Sequence, residues 1–349
     1  MSDDVRAWAS AAGVVWCGAE QMPVRPVNAG VLRGIAFGVS FEARVDDRRL
    51  LPALRARLPP GWAPTRTPPV IVLSLVHEVS DTSRWRTASS PHPDRGVGLT
   101  VRLDGEPVAR GLGHADAFDV FESELQLSVA RRAQPEVFVH AGVVAVGGLA
   151  IVVPGRSGTG KTTLVRALVD AGATYFSDEY AVIDGTGRVH PYARRLSVRA
   201  RGGRKERHPV PRNRGQGPVR IGLIVQTGYR PRARWEPAAL SAGECVLALL
   251  SNTVPARDRP AEVLATLVRA SDGARGLRGD RGPAARTARA LIALAVSGPS
   301  EAGALPGRAA RGSPRGRASD LLSRSSPRRS ARGPRRPARA RRPRRPRRR

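Results

Sequence analysis

Gly155-Arg-Ser-Gly-Thr-Gly160-Lys161-Thr162 matches the pattern G-x-x-x-x-G-K-[ST] at every defined position. An apolar run, Leu149–Val153, precedes this stretch, and Thr162–Val169 is expected to form a helix. A glycine-rich turn between a strand and a helix N-terminus aims several backbone N–H groups at one point, where an anion binds. The stretch therefore predicts a phosphate-binding loop inside an α/β domain.

Lysine at position 161 strengthens this interpretation. The chain has 59 lysines and arginines, of which only Lys161 and Lys205 are lysines. A compact ammonium can reach between the β- and γ-phosphates of a nucleotide, where the broad guanidinium of arginine would not fit. A glycine-rich loop without a ligand is the alternative. The residues expected to bind the nucleotide are Gly155, Arg156, Ser157, Gly158, Thr159, Gly160, Lys161, Thr162 and Thr163.

An acidic pair follows the loop closely in the sequence. Ala173–Ser177 is expected to form a strand that leads to Asp178 and Glu179. A right-handed strand–helix–strand crossover ends both of its parallel strands at one edge of the sheet, so we expect the pair beside Lys161, on an adjacent strand. Carboxylates at this place suit a kinase, because they can manage Mg²⁺ and accept the proton of an acceptor hydroxyl. A solvated acidic turn is the alternative.

Three segments therefore follow one another in order: Val139-His140-Ala-Gly, the loop 155–162, and Gly172–Glu179. In this order and at this spacing they resemble the catalytic domain of HPr kinase/phosphorylase, closely over about 137–190 and weakly as far as about 296. Ser157–Thr163 is also similar to the phosphate loop of phosphoenolpyruvate carboxykinases, which share that family's nucleotide-binding core. The resemblance implies an α/β fold with a mixed sheet and an ATP- and Mg²⁺-dependent kinase.

The resemblance also implies a role for each matched residue. Lys161 would bind the ATP phosphates and Thr162 the Mg²⁺, while Asp178 would accept the proton and His140 would lie nearby in the site. The expected catalytic residues are thus Asp178, His140 and Lys161. We expect Glu179 at the metal together with Thr162 and Asp178, because its longer side chain can reach a metal-bound water. Without the resemblance, His140 would be interpreted as a packed strand histidine.

The chain departs from that family at two places. The family's second aspartate is Glu179 here, and the nearest counterpart of a later Glu-Ile-Arg-Gly stretch, Leu196–Gly202, lacks the glutamate. Phosphorylase activity and HPr itself as the substrate are therefore not carried over. The phosphoacceptor is expected to be a serine of a protein or peptide, or a small molecule.

Periodicity and composition divide the chain into four expected parts. Residues 1–115 form a smaller α+β domain of unknown role, 116–134 a connecting helix, 135–298 the P-loop domain, and 299–349 a disordered tail rich in Arg and Pro. In the first part, alternation over Ile35–Val45 predicts one half-buried strand. The helix is expected to be capped by Asp116. Its expected apolar face consists of Phe118, Phe121, Leu125 and Val129.

The cysteine content, the division of one apolar stretch and the acidic start of the sequence argue against several classes of protein. Cys17 and Cys245 are too few for a disulfide scaffold or a cysteine zinc site. Val137–Gly155 is long and apolar enough to span a bilayer, but Gly147-Gly148 divides it as a hairpin would. The acidic start, Met-Ser-Asp-Asp, leads into no apolar signal segment. We therefore expect a cytoplasmic protein that does not enter a membrane.

The net charge of +30 leaves a nucleic-acid partner as an alternative. Residues 301–349 carry 18 arginines and two acidic residues, which would favour phosphate contacts. No aromatic residue is interleaved there to stack on bases, so we expect nucleic-acid binding, if any, through the tail alone. The leading hypothesis remains a kinase. A P-loop ATPase or nucleotide-sensing module without phosphotransfer stays open as the alternative, as does a homo-oligomer.

Overall fold

The computed structural model describes residues 29–78, 98–156, 158–199 and 205–297, except for the side chains of 197–199 and 205. Ser157 of the loop and the expected tail, 299–349, lie outside these residues. The described part is a mixed α/β structure with two mixed sheets. None of its helices is both long and apolar enough to cross a membrane.

The strands are, in chain order, β1 (Gly30–Ala36), β2 (Val39–Val45), β3 (Ala63–Pro64), β4 (Ile71–His77), β5 (Leu99–Leu103), β6 (Glu106–Leu112), β7 (Val137–Val146), β8 (Leu149–Pro154), β9 (Thr174–Ser177), β10 (Tyr180–Ile183), β11 (Val189–His190), β12 (Leu196–Arg199), β13 (Lys205–His208), β14 (Arg220–Gln226), β15 (Ala238–Leu240) and β16 (Arg275–Arg278). The helices are α1 (Leu51–Arg55), α2 (His114–Arg132), α3 (Lys161–Asp170), α4 (Ala242–Leu250), α5 (Pro260–Ser271) and α6 (Ala284–Val296). Short 3₁₀ turns occupy Arg48–Leu50 and Val254–Arg257.

The first sheet has six strands in the order β3-β1-β2-β4-β5-β6, with β2 and β4 parallel. The stretch Ile35–Val45, predicted as one strand, forms parts of two strands instead. β1 and β2 meet at the turn Phe37-Gly38, where both residues have positive φ, 50° and 74°. The prediction was wrong because a two-residue hairpin leaves the alternation of apolar residues unbroken.

Helix α2 covers this sheet with the face that the sequence predicts. The helix begins at His114, with Gly113 as its N-cap, so the expected cap, Asp116, lies in the first turn. Its negative charge there still complements the positive end of the helix dipole. The buried apolar residues of the predicted face are Phe118, Phe121, Leu125 and Val129.

The second sheet has eight strands and carries the loop. Its order is β11-β10-β7-β8-β14-β16-β15, with β9 paired to β7. The apolar stretch Val137–Gly155 is the hairpin of β7 and β8 that Gly147-Gly148 predicts. β8, β14 and β16 run parallel. Helices α3 and α6 pack on one face of the sheet, and α4 and α5 on the other.

The expected crossover from β8 through α3 to β9 is present, with one correction. β8 and β9 run in the same direction, because each is antiparallel to β7. We expected them to be adjacent, but β7 lies between them. It pairs with β8 through the tight hairpin on one side and with β9 on the other. Both strands nevertheless end at one edge of the sheet, so the residues after β9 reach the loop.

Candidate functional site

The loop leaves β8 at Gly155 and enters α3 at Lys161. Gly158 and Gly160 both have positive φ, 88° and 84°, a conformation that other residues rarely adopt. Gly142 of β7 lets α3 approach closely, since a Cβ there would lie 2.5 Å from Cγ2 of Val165. The glycines therefore set both the shape of the loop and its distance from the sheet.

The ammonium of Lys161 lies against the loop's own backbone. It donates to the carbonyl oxygen of Gly155 at 2.5 Å and to that of Arg156 at 2.7 Å. Thr159 closes the turn, because its hydroxyl donates to the same Arg156 oxygen at 3.0 Å. The cation is thus held at the loop, and its binding to nucleotide phosphates stays a prediction. Thr163, also predicted to bind the nucleotide, is exposed on α3.

Thr162 and Asp178 meet at the end of the two strands. The Thr162 hydroxyl donates to Oδ2 of Asp178 at 3.3 Å. The other carboxylate oxygen, Oδ1, accepts from the hydroxyl of Tyr175 at 3.1 Å. Asp178 is only 6% exposed. The acidic residue is therefore fixed on both oxygens, beside the first turn of the loop's helix.

The Tyr175 hydroxyl has a second acceptor, the carbonyl oxygen of Arg194, at 3.0 Å. Burial and the neighbouring charge of Asp178 raise the pKa of Tyr175, so the hydroxyl keeps its proton. While Asp178 is ionised, Tyr175 can donate to it. Once Asp178 is protonated, its own O–H can donate to Tyr175, which then donates to Arg194. The site can therefore satisfy both protonation states of the carboxyl group.

Glu179 lies on the side of His140 and Arg194. Its Oε1 is 3.9 Å from Nδ1 of His140, its Oε2 is 3.7 Å from Nη1 of Arg194, and its side chain is 41% exposed. His140 lies opposite Tyr180 in the neighbouring strand, with ring centroids 4.7 Å apart, and its carbonyl oxygen accepts from the N–H of Gly155. The structure thus brings His140 and the acidic pair together at the loop. Glu179 at a metal stays a prediction.

A buried network that the sequence did not reveal supports this pair. The Arg194 guanidinium donates to Oε1 of Glu122 at 2.7 Å and to Gln126 at 2.6 Å, both on α2. Arg207 of β13 donates to the other Glu122 oxygen at 2.9 Å and pairs with Asp119. Burial alone would lower the pKa of Arg194, but the nearby negative charges of Glu122 and Glu179 outweigh it and raise that pKa. Arg194 therefore remains charged and ties the site to α2.

Two cavities lie away from the loop. One of about 300 Å³ is lined by Arg188, Arg220 and Arg269 among others, and one of about 170 Å³ by Leu149 and Leu223 among others. Arg220 and Leu149 begin β14 and β8, so these cavities are at the amino ends of the parallel strands. Ligands of open α/β sheets bind beyond the carboxyl ends, where the loop is. The cavities therefore do not mark the candidate site.

The donors at the loop suit a nucleotide with Mg²⁺. Positive-φ glycines, a lysine and a helix N-terminus are suited to phosphate oxygens, and a threonine hydroxyl beside a carboxylate offers oxygen ligands. In the described part of the chain, no three His, Cys, Asp or Glu side chains converge on a metal position. Mg²⁺ at a nucleotide site does not require such a cluster, because it keeps waters and binds substrate phosphates.

The chain is distantly similar to solved structures. No protein-family model and no curated protein matches the chain. A solved structure, "Structure of the Hpr(Ser) kinase/phosphatase from Coxiella burnetii", is 16% identical, covers 46% of this chain and 93% of that chain, and has a TM-score of 0.27.

Proposed function

We propose that the protein is an ATP- and Mg²⁺-dependent kinase that transfers the γ-phosphate to a hydroxyl group, either on a serine of a protein or peptide or on a small molecule. The observation that carries the proposal is the hydrogen bond between Thr162 and Asp178 at the first turn of the loop's helix. It joins a carboxylate to a complete phosphate-loop motif, and a carboxylate at that point can serve as a base.

In this proposal, the residues of the site act on the phosphates, on the metal and on the acceptor hydroxyl. Bound ATP would supply the phosphoryl group, and bound Mg²⁺ would offset the charge of its oxygens. Lys161 and the loop N–H groups hold and neutralise the phosphates, while Thr162 and Asp178 offer oxygen ligands to the metal. Asp178 takes the proton that the acceptor hydroxyl loses, and Tyr175 keeps the carboxyl group hydrogen-bonded before and after that transfer.

Glu179 and His140 complete the acidic side of the site in this proposal. Glu179 is partly exposed and flanked by Arg194 and His140, so its carboxylate is held without being sealed off. A metal-bound water would be within the reach of such a side chain. The proposed acceptor is a hydroxyl compound and the proposed compartment is the cytoplasm, with a homo-oligomer as an open alternative.

Label transfer tests the proposal. The full chain is incubated with [γ-³²P]ATP, Mg²⁺, an array of serine peptides with alanine-matched partners, and a panel of small alcohols. We expect label on an acceptor with the parent and none with Lys161→Ala, which should also lose ATP affinity in calorimetry. Arg166→Ala, an exposed change further along the same helix, is the matched control. Phosphate release without a labelled acceptor would favour the ATPase alternative, and unchanged ATP affinity of Lys161→Ala would overturn the loop assignment.

A further inference from the structure

Arg281, which the proposed function does not use, lies buried against the loop. Its side chain is 2% exposed, and Nη2 donates to the carbonyl oxygen of Gly160 at 2.7 Å. Its Nε has no hydrogen-bond partner among the described residues, and no carboxylate there pairs with it. Burial lowers the pKa of this guanidinium, a cost that a nearby anion would offset. Nη1 also donates to the carbonyl oxygen of Gly282 at 3.2 Å, so backbone carbonyls hold the guanidinium beside the phosphate loop.

The contact with Gly160 also explains why glycine is needed at that position. A Cβ on Gly160 would lie 2.5 Å from Nη2 of Arg281 and 3.8 Å from Cβ of Tyr229. Gly160 precedes Lys161, so the guanidinium holds the carbonyl of the peptide at which α3 begins. We call the loop 155–162 the phosphate cradle. Arg281 therefore supports this cradle through the carbonyl of its last glycine.

Tyr229 contacts Arg281 and is open to solvent. It lies in the segment after β14, and its backbone pairs with that of Arg281 through two hydrogen bonds of neighbouring residues: Arg281 N–H to Gly228 O and Arg230 N–H to Arg281 O, both 2.9 Å. The Arg281 guanidinium carbon is 5.7 Å from the centre of the Tyr229 ring. The side chain of Tyr229 is nevertheless 55% exposed. One part of the ring is thus held by a cation, and the rest is available for a ligand.

We propose that Tyr229 is a stacking platform for the base of a nucleotide, and that Arg281 is the positioning residue that joins this platform to the phosphate cradle. The inference rests on the proposed function, since it takes the phosphates to be in the loop. A nucleotide bound there would extend its base away from the loop. The Cβ of Tyr229 lies 3.8 Å from the position that a Cβ on Gly160 would take, so its ring starts close to the loop. Every base offers a π face to an aromatic ring, and a purine offers the larger one.

Two probes separate the platform from the cradle: Mg·ATP, which has a base, and Mg·tripolyphosphate, which has none. Binding of each to the full chain is measured by calorimetry. Tyr229→Ala should weaken Mg·ATP by about 5- to 100-fold, the range expected for loss of one base–aromatic stack, and leave Mg·tripolyphosphate within about twofold. Tyr229→Phe should bind both as the parent does. Leu247→Ala, at an exposed apolar residue on α4, is the matched control.

Arg281→Lys should weaken the binding of both probes, because Arg281 supports the phosphate cradle itself. The thermal unfolding of this variant shows whether it is folded. The platform is wrong if Tyr229→Ala binds Mg·ATP as the parent does, or if it loses both probes equally. It is also wrong if the parent binds the two probes with equal affinity. That result would still support phosphate binding at the loop. A parent that binds neither probe overturns the proposed function itself.

Discussion

The hydroxyl of Tyr175 lies 3.1 Å from Oδ1 of Asp178 and 3.0 Å from the carbonyl oxygen of Arg194. This arrangement gives the carboxyl group a hydrogen-bond partner whether or not it carries a proton. Tyr175, the second residue of the short buried strand β9, is thereby part of the proposed chemistry through its contact with Asp178.

Tyr175→Phe should slow phosphotransfer by about 3- to 30-fold, with the smaller part of the range expected if water replaces the hydroxyl. The loss should fall on kcat, and KM for ATP should stay within about twofold, because the hydroxyl does not touch the loop. Tyr192→Phe is a matched control, since the Tyr192 hydroxyl is buried without a partner among the described residues. An equal effect of both changes on kcat would show that Tyr175 acts only through packing.

Removal of Arg194 should destabilise the fold. Arg194→Met removes one of the cations that pair with the buried carboxylate of Glu122. Breaking a buried ion pair in this way lowers the free energy of unfolding by about 3–5 kcal/mol. Urea unfolding should show this loss, and Arg194→Met combined with Glu122→Gln should cost less than the sum of the two changes. Arg49→Met, in a pair whose arginine is 90% exposed, should leave the free energy of unfolding almost unchanged. Additive effects of Arg194→Met and Glu122→Gln would contradict the network.

The turn after β10 should make stability depend on acid pH. Burial alone would raise the pKa of Asp184, but hydrogen bonds from Thr186 and His190 outweigh it and hold that pKa at about 2, below its ordinary 3.8. Because the folded pKa is depressed, the stabilisation is present above pH 4 and is lost as the pH falls towards 2. Between these values the unfolding free energy of the parent should fall by about 1–2 kcal/mol more than that of Asp184→Asn. Parallel pH curves would refute this role.

Much of the site could be predicted because its signals are local in the sequence. The loop, the hairpin at Gly147-Gly148 and the acidic pair each depend on residue types at short, fixed spacing, and the structure brings Lys161, Thr162 and Asp178 together. The roles assigned to them, and the relation to HPr kinase, stay predictions.

The supporting residues could not be found in this way. Arg194 and Arg281 are two arginines in a chain whose basic residues are almost all arginine, and each reaches the site through a fold contact with a distant segment. Strand order was equally hidden, since a hairpin partner such as β7 can occupy either side of β8. Arg281 is distinguished by its burial against the carbonyl oxygen of Gly160, and that environment exists only in the folded chain.

Glu179 and Asp178 should respond differently to loss of charge. Glu179→Gln should weaken Mg²⁺-dependent nucleotide binding, and raised Mg²⁺ should partly restore the rate, because its proposed role is at a metal-bound water. Activity titrated against Mg²⁺ at fixed ATP measures this. A rate that is low at every Mg²⁺ concentration would place Glu179 in another role, beside His140 and Arg194.

The most direct test of the central claim compares ATP binding and phosphotransfer in Asp178→Asn. Asparagine keeps the shape of aspartate and a hydrogen-bonding oxygen for Tyr175 or Thr162, but it loses basicity. Calorimetry with Mg·ATP should show affinity within a few-fold of the parent, while label transfer from [γ-³²P]ATP to the acceptor found with the parent should fall by about 10²–10⁴. If Asp178→Asn transfers phosphate at the parent rate, Asp178 is not the base and the proposed mechanism is wrong.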